Sequence, residues 1–480
     1  MSRGLGDVYK RQLCTPCMSL NYNFIWLLCY LLVLVGLAGY GFHRLSIVYL
    51  YWKNRNNKPQ PKARFQELPV VTVQLPMFNE KFVVDRLLES VAALDYPQDK
   101  LEIQILDDST DDTTEQCYRK VEELKSRGFD AVCIHRTDRT GFKAGALEAA
   151  TKVAKGEFLL ILDADFVPEP DLLQKTIHFF TDENVGLVQT RWGHINREYN
   201  LLTRIQGMYL DGHFAMEQTA RNRSGRFFTF NGTAGIWRKC VIGDAGGWSH
   251  DTLTEDMDLS YRVQLRGWRF IYLNDVVTPA ELPVDMDGFK SQQHRWTKGS
   301  IQVCQKILLD IWRSNAPLKA KVEATTHLTC NYSYLLLALL CFLVYPICTQ
   351  RIPENETVFM WFVNVALFFM TSVAVCIFYM SAQIVVRPKS WWKELPYLPL
   401  LLTLSVGMAV NNAKAVLEAI FGHQSAFVRT PKYGVDRKED RRHVSQLKRN
   451  GYRAIKSVVI PVLELSLIHI SEPTRHLRIS

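Results

Sequence analysis

The chain of 480 residues has no internal repeat and no low-complexity tract, which excludes repeat-array architectures and long disordered arms. It also lacks a strong charge of either sign: 57 Lys and Arg stand against 48 Asp and Glu, a net +9. So mild an excess means nothing without a location, and no nucleic-acid partner is expected. Cysteine is missing where it would carry chemistry. Eleven are present, but Cys29, Cys330, Cys341, Cys348 and Cys376 sit in or beside apolar runs, where the side chain behaves as a small hydrophobe. Cys14 and Cys17 form a lone CxxC with no second ligand pair, so neither a zinc site nor a disulfide framework is indicated.

Both ends stand apart from the rest. Asp7-Val8-Tyr9-Lys10-Arg11-Gln12 resembles a translated transposon-end sequencing adapter, and Leu465 to Arg475 resembles its partner. Residues 1–12 and 465–480 are therefore excluded from fold reasoning. The stretch from about Leu13 to Glu464 is expected to lack its true start and its C-terminal end. Without Arg3, Asp7, Lys10, Arg11, Glu472, Arg475 and Arg478 the net charge falls to about +6.

Long apolar runs are what the chain has in quantity, within a hydrophobic content of 48%. Phe24 to about Tyr51 is interrupted only by His43 and Arg44, and it exceeds the ~20 residues that cross a bilayer. Lys53, Arg55, Lys58, Lys62 and Arg64 follow at once, so the next domain is expected in the cytosol. Apolar segments return at Leu328–Cys348, Val358–Val386 and Leu395–Ile420. The linker Thr349–Thr357 carries little positive charge and belongs on the far side, where Asn355 heads a glycosylation sequon; Asn331 heads another. Basic residues flank the third segment on both sides, Arg387, Lys389 and Lys393 before it and Arg429 to Arg449 after it. One crossing cannot put both flanks inside. The segment is read as amphipathic or re-entrant at the cytosolic interface, with Asn411, Asn412, Lys414 and Glu418 on its wet face; a true third span is the alternative. Val458 to Glu464 reads as the opening of a further span.

Between these runs, Val70 to about Trp312 reads as soluble α/β. Strand-like runs at Val70–Leu75, Ile103–Leu106, Ala131–Ile134, Phe158–Leu162 and Val185–Gln189 alternate with helical patterns, which predicts a mostly parallel sheet with helices on both faces.

Four motifs carry chemistry, with two glycine-bearing turns between them. Asp107 and Asp108 end one strand, while Asp111 and Asp112 open the next helix. Capping explains part of this acid run, but a pair of carboxylates at a strand's C-terminal edge also lies where open α/β sheets bind ligands. Asp163-Ala164-Asp165 directly follows a buried strand and aims two oxygen donors into one crevice. A Mg²⁺ or Mn²⁺ ion bridging to substrate phosphates would want that arrangement. Between them, Arg139-Thr140-Gly141-Phe142-Lys143 turns into a helix with two cations, a favourable setting for a diphosphate or ribose and equally an ordinary solvated helix start. Phe230 to Gly235 holds Gly232, which offers flexible backbone beside a bulky ligand or a plain tight turn. Thr254-Glu255-Asp256 reads two ways: as part of a capping box with Thr252 as cap and Glu255 at the third position, or as the source of a general base. Gln292-Gln293-His294-Arg295-Trp296 lies in a helix beginning near Asp287. Trp296 and Arg295 are either packing and anchor residues or an indole and a donor for a sugar acceptor.

Taken in this order, the motifs resemble the processive family 2 glycosyltransferases: cellulose, chitin and hyaluronan synthases, and especially the cellulose-synthase-like mannan and glucan branch. Leu75-Pro76-Met77-Phe78-Asn79-Glu80, Phe142 to Leu147, Val188-Gln189 and Arg295-Trp296-Thr297-Lys298-Gly299 carry the likeness to that branch. The resemblance implies an α/β GT-A (Rossmann-like) cytosolic catalytic domain, about residues 65–316, between a first transmembrane segment at 13–64 and α-helical transmembrane or interfacial helices at 317–464. It implies that Asp107 and Asp108 hold the nucleotide, with Arg139 and Lys143 close by. Asp163 and Asp165 would serve the nucleotide sugar and its metal. Asp256, with Glu255 beside it, would be the base. Gln292, Arg295 and Trp296 would bind acceptor and diphosphate, with Thr254 and Gly232 on the acceptor side. Phe427, Thr430 and Lys432, within 421–433, resemble a gating loop.

The implied function is inverting polymerisation of hexose from GDP-mannose or UDP-glucose into a β-1,4-linked polysaccharide. The implied partners are the nucleotide sugar, the growing chain and the lipid bilayer of a plasma or Golgi membrane, with a homo-oligomer possible. A non-processive transferase making a glycolipid and a catalytically silent nucleotide-binding scaffold are the rivals.

Overall fold

Seven strands form one sheet: β1 (Val71–Met77), β2 (Leu101–Asp107), β3 (Asp130–His135), β4 (Phe158–Ile161), β5 (Val185–His194), β6 (Gly235–Arg238) and β7 (Arg269–Ala280). Their order across the sheet is β3-β2-β1-β4-β6-β5-β7. This computed structural model describes residues 15–349, 362–363, 365–367, 369–423 and 429–436. The expectations for Phe427, Asn355, the basic run beyond 436 and the apolar Val458–Glu464 fall outside those residues.

The first four strands are parallel neighbours, as their separation by helices requires, and β5 pairs parallel with β7. Only β6 runs against its neighbours, between β4 and β5. Apolar residues on β1, β2 and β4 are buried on both faces, the pattern of strands covered by helices on either side. The polar positions between them are paired rather than wet: Thr72 donates to Glu102 at 2.6 Å and Gln74 to Gln104 at 3.1 Å.

The register gathers the site. Met77 lies level with Asp107, and Gln74 with Ile161, so β1, β2 and β4 all end at one edge of the sheet. Because β6 is antiparallel, its beginning meets that edge, with Gly235 opposite Ile161. The loop Phe230–Ala234 therefore arrives where the three parallel strands finish.

Outside the sheet, three helices among the described residues are long and apolar enough to cross a membrane: Ile25–Asn54, Val365–Val386 and Trp391–Ile420. The pair Leu318–Thr329 and Tyr332–Val344, bent by 51°, would make a fourth. A Cβ on Gly41 would collide with the Met370 carbonyl oxygen, so this glycine permits the close approach of the first helix to the segment around Met370.

One expectation needs correction. Asn411 and Asn412 do not face water: both are buried, and Asn411 donates to the Lys290 carbonyl at 3.2 Å. Glu418 is tied to Lys298 at 3.1 Å and His294 at 3.3 Å. Only Lys414 of the four is exposed. Apart from Lys414, the polar face of Ala409–Ile420 packs on the helix Met286–Arg313.

Candidate active site

At the shared strand edge lies a cavity of about 270 Å³. Among the described residues, every one assigned a binding or catalytic role by the resemblance lines it except Asp107. Asp107 is the last residue of β2, and its side chain is fully buried. Its carboxylate accepts from the Ser109 amide at 3.0 Å and Thr114 Oγ1 at 2.7 Å, and pairs with His135 Nδ1 at 2.7 Å. Those partners make Asp107 a brace for the turn. The cavity instead meets Asp108, one residue further on, whose two oxygens are gripped by Arg136 at 2.8 and 2.6 Å. Arg136 was not legible as a site residue.

The next pair of acids is held by lysines. Asp163 pairs with Lys143, which also donates to the Gly232 carbonyl at 2.9 Å. Asp165 accepts from Lys432 at 2.6 Å and from the Glu281 amide at 3.1 Å. Burial opposes charge on Lys143, but Asp163 and Glu255 outweigh it and its pKa is raised; Lys432 is raised likewise by Asp165 and Glu281. Arg139 stacks over the Phe78 ring at 3.4 Å, presenting a planar cation at the cavity wall. Glu80, half-buried beside Arg429 at 3.0 Å, has its pKa pushed up to about 8, by desolvation first and against the pull of Arg429.

The acids of the third motif open the helix Glu255–Leu265, where carboxylates suit the positive end of the helix dipole. Thr254 is the cap residue, without a side-chain cap bond. Glu255 is thus the first helical residue, and the capping box with Thr252 does not form. Gly232 has φ +80°, and a Cβ there would lie 3.1 Å from an Asp256 oxygen. The glycine lets the loop press against that carboxylate. Burial, then the like charge of Glu255, lifts the Asp256 pKa to about 7, against the bond from the Met257 amide and the charges of Lys143 and Arg295.

The helix Met286–Arg313 starts with Asp285, which accepts from the Gly288 amide at 2.8 Å. Gln292, Arg295 and Trp296 follow at i, i+3 and i+4, one face of the helix, and all three line the cavity. Trp296 also packs beside Trp192, Leu210 and Phe214. A second cavity, of about 220 Å³, begins on the other side of these residues and runs to Tyr334, Phe378 and Tyr379 of the apolar helices. Asp256, Thr254 and Trp296 line both cavities.

Among the described residues no group of three or more His, Cys, Asp or Glu side chains is arranged to hold a metal. Asp163 and Asp165 nevertheless fit a hard cation that takes one or two carboxylates and completes its shell with phosphate oxygens. They face one cavity, and lysine ammonium groups already supply positive charge at both.

Comparison with known sequences extends the geometry. A family model described as glycosyltransferase like family 2 matches residues 69–299, and one described as cellulose synthase matches residues 235–471. Across these two overlapping stretches the chain is similar to the cellulose synthase-like family 2 glycosyltransferases. Within this family, a glucomannan 4-beta-mannosyltransferase from Arabidopsis thaliana is 42% identical over 286 residues, 56% of this chain and 53% of that protein. Another from Oryza sativa subsp. japonica is 40% identical over 277 residues, 57% of this chain and 53% of that protein. The chain spans about half the length of these curated relatives. Among solved structures, a mannosyltransferase from Pyrobaculum calidifontis in complex with GDP-Man and Mn²⁺ aligns with a TM-score of 0.58 and 20% identity, covering 82% of this chain and 100% of that one. The sheet is that of the GT-A glycosyltransferases.

Proposed function

We propose that this chain is an inverting β-mannosyltransferase at a membrane surface, extending a β-1,4-linked mannan or glucomannan with mannose from GDP-mannose. The observation that carries the reading is the position of Asp256 and Trp296 at the junction of two cavities. One cavity has the cations and acids a nucleoside diphosphate sugar needs; the other leads to the apolar helices.

In this reading the donor diphosphate lies among Asp108, Arg139, Lys143, Gln292 and Arg295. The acceptor sugar stacks on the Trp296 indole. Asp256 takes the proton from the acceptor hydroxyl, whose oxygen attacks the anomeric carbon as the bond to the diphosphate breaks. A half-buried carboxylate with a pKa of about 7 suits that proton transfer. Lys143 and Arg295 offset the charge that grows on the departing diphosphate. A Mg²⁺ or Mn²⁺ ion held by Asp163 and Asp165 would supply further charge neutralisation on that leaving group.

The donor assignment rests on the two plant relatives, both named as glucomannan 4-beta-mannosyltransferases. The polymer assignment rests on the second cavity, which offers the growing chain a route toward the membrane helices. The cytosolic assignment rests on the basic flank after the first helix. Thr430 and Lys432 line the same cavity as the acids, so the chain returns to the catalytic side after Trp391–Ile420, in keeping with an interfacial role for Ala409–Ile420. Incubating membranes that contain the protein with radiolabelled GDP-mannose, UDP-glucose or UDP-N-acetylglucosamine tests the reading. Label is expected in polymer from GDP-mannose; incorporation from UDP-N-acetylglucosamine alone would overturn the donor assignment.

A further inference from the structure

One buried acid outside the four motifs touches the donor site in three ways. Glu281 immediately follows β7 and is 3% exposed. Its backbone amide donates to Asp165 at 3.1 Å, and its backbone carbonyl accepts from Lys432 at 2.8 Å. Its side chain does something separate. One carboxylate oxygen accepts from the Tyr433 amide at 2.9 Å and the other from the Val435 amide at 3.1 Å.

The residue between those amides explains the fit. Gly434 has φ +68°, and a Cβ there would lie 2.7 Å from the Phe82 carbonyl oxygen. A left-handed residue between two others turns successive N–H groups toward one point, forming a concave anion seat. The anion in this seat is part of the same protein, 152 residues back. Hydrogen bonds to a carboxylate are stronger than neutral ones. Around the seat, Tyr433 and Val435 pack with Tyr199 and Val284.

We propose that Glu281 is a positioning residue of the donor site: its carboxylate clamps the backbone of 433–435 and so sets Thr430 and Lys432 in the cavity wall. Asp165 and Lys432 are then fixed from the same residue, one by its amide and the other by the segment it clamps. The donor pocket is complete only while the clamp is closed. The inference rests on the donor-site reading above, but its first test does not.

That test measures the thiol reactivity of Val435→Cys in the full-length protein in its membrane. Val435 is fully buried, and cysteine is a tolerated small hydrophobe there. Alone, the variant should label slowly with maleimide. Adding Glu281→Ala should speed labelling at that position by about 10-fold or more, because losing the acceptor of two buried amides favours local opening. Gly434→Ala, which strains the seat and leaves Glu281 intact, should act in the same direction. Unchanged labelling in both would overturn the clamp, whatever reaction the protein catalyses.

The second test uses Glu281→Gln, which retains shape and one good acceptor. Donor KM should rise about 10-fold while kcat at saturating donor falls much less, the signature of weakened binding shared by ground and transition states. Equal loss in kcat with unchanged KM would contradict a positioning role at the donor site. If the wild-type protein uses no nucleotide sugar, the function reading fails on its own and the labelling result still decides the clamp.

Discussion

Arg136 grips Asp108 through two parallel bonds, Nε to Oδ1 at 2.8 Å and Nη2 to Oδ2 at 2.6 Å, while Nη2 also donates to the Phe142 carbonyl at 2.9 Å. One guanidinium thus joins the acid after β2 to the turn that carries Lys143. Lysine cannot reproduce that planar fork. Arg136→Lys is expected to raise donor KM about 10-fold with a smaller effect on kcat, since it loosens a charge-assisted bidentate pair beside the donor. Steady-state kinetics in donor concentration reads this directly, and an unchanged KM would remove Arg136 from donor positioning.

Asp256→Asn keeps size and hydrogen bonding but cannot take a proton. Transfer should fall by a factor of about 10² or more while nucleotide binding survives. Near-normal turnover would shift the base to Glu255.

The raised Asp256 pKa gives two pH signatures. The base must be ionised, so kcat/KM should climb as pH rises through about 7 and level off above it. Stability runs the other way. The unfolded chain ionises this group near its ordinary value of 3.8, while the folded protein keeps it neutral up to about 7. Stability is therefore lost as pH rises through that window and stays low above it. The melting temperature of Asp256→Asn, relative to wild type in the same detergent, should gain between pH 4 and 7 and change little beyond. A pH-independent difference would contradict a carboxyl of raised pKa at this position.

Metal dependence follows from Asp163 and Asp165. Each acid is paired with one lysine side chain, and two carboxylates alone hold a divalent ion weakly without substrate phosphates. Chelator should abolish transfer and Mn²⁺ or Mg²⁺ restore it, with Asp163→Ala unresponsive to added metal. Full activity in excess chelator would leave these acids as lysine partners only.

Topology can be read at His423, exposed just after Ile420. Because Lys432 reaches Asp165 nine residues later in the chain, a thiol introduced by His423→Cys should react with an impermeant reagent only when the catalytic face is open. Labelling from the opposite face of sealed vesicles would make Trp391–Ile420 a crossing segment and break the account of the 429–436 wall.

What could be read from the sequence was local. The runs behind β1 to β5, the acids that end β2 and β4, and the face shared by Gln292, Arg295 and Trp296 each follow from spacing within a dozen residues. β6 escaped because four residues, Gly235–Arg238, carry no period. The division of labour between Asp107 and Asp108 is set by side-chain direction at a strand end, where adjacent residues point to opposite faces. Arg136 is a neighbour of Asp108 only through the β2–β3 register, which sets His135 level with Asp107. Asn411 and Asn412 look wet by composition, yet another helix covers them. Glu281 carries no motif at all; its role depends on a segment 152 residues away.

The most direct test of the central claim is the nature of the product made from GDP-mannose by the purified protein in lipid vesicles. The account predicts a water-insoluble polymer, degraded to short oligosaccharides by an endo-β-1,4-mannanase and absent with Asp256→Asn. Label confined to a solvent-extractable lipid bearing a single sugar, or a polymer that the mannanase leaves intact, would contradict it.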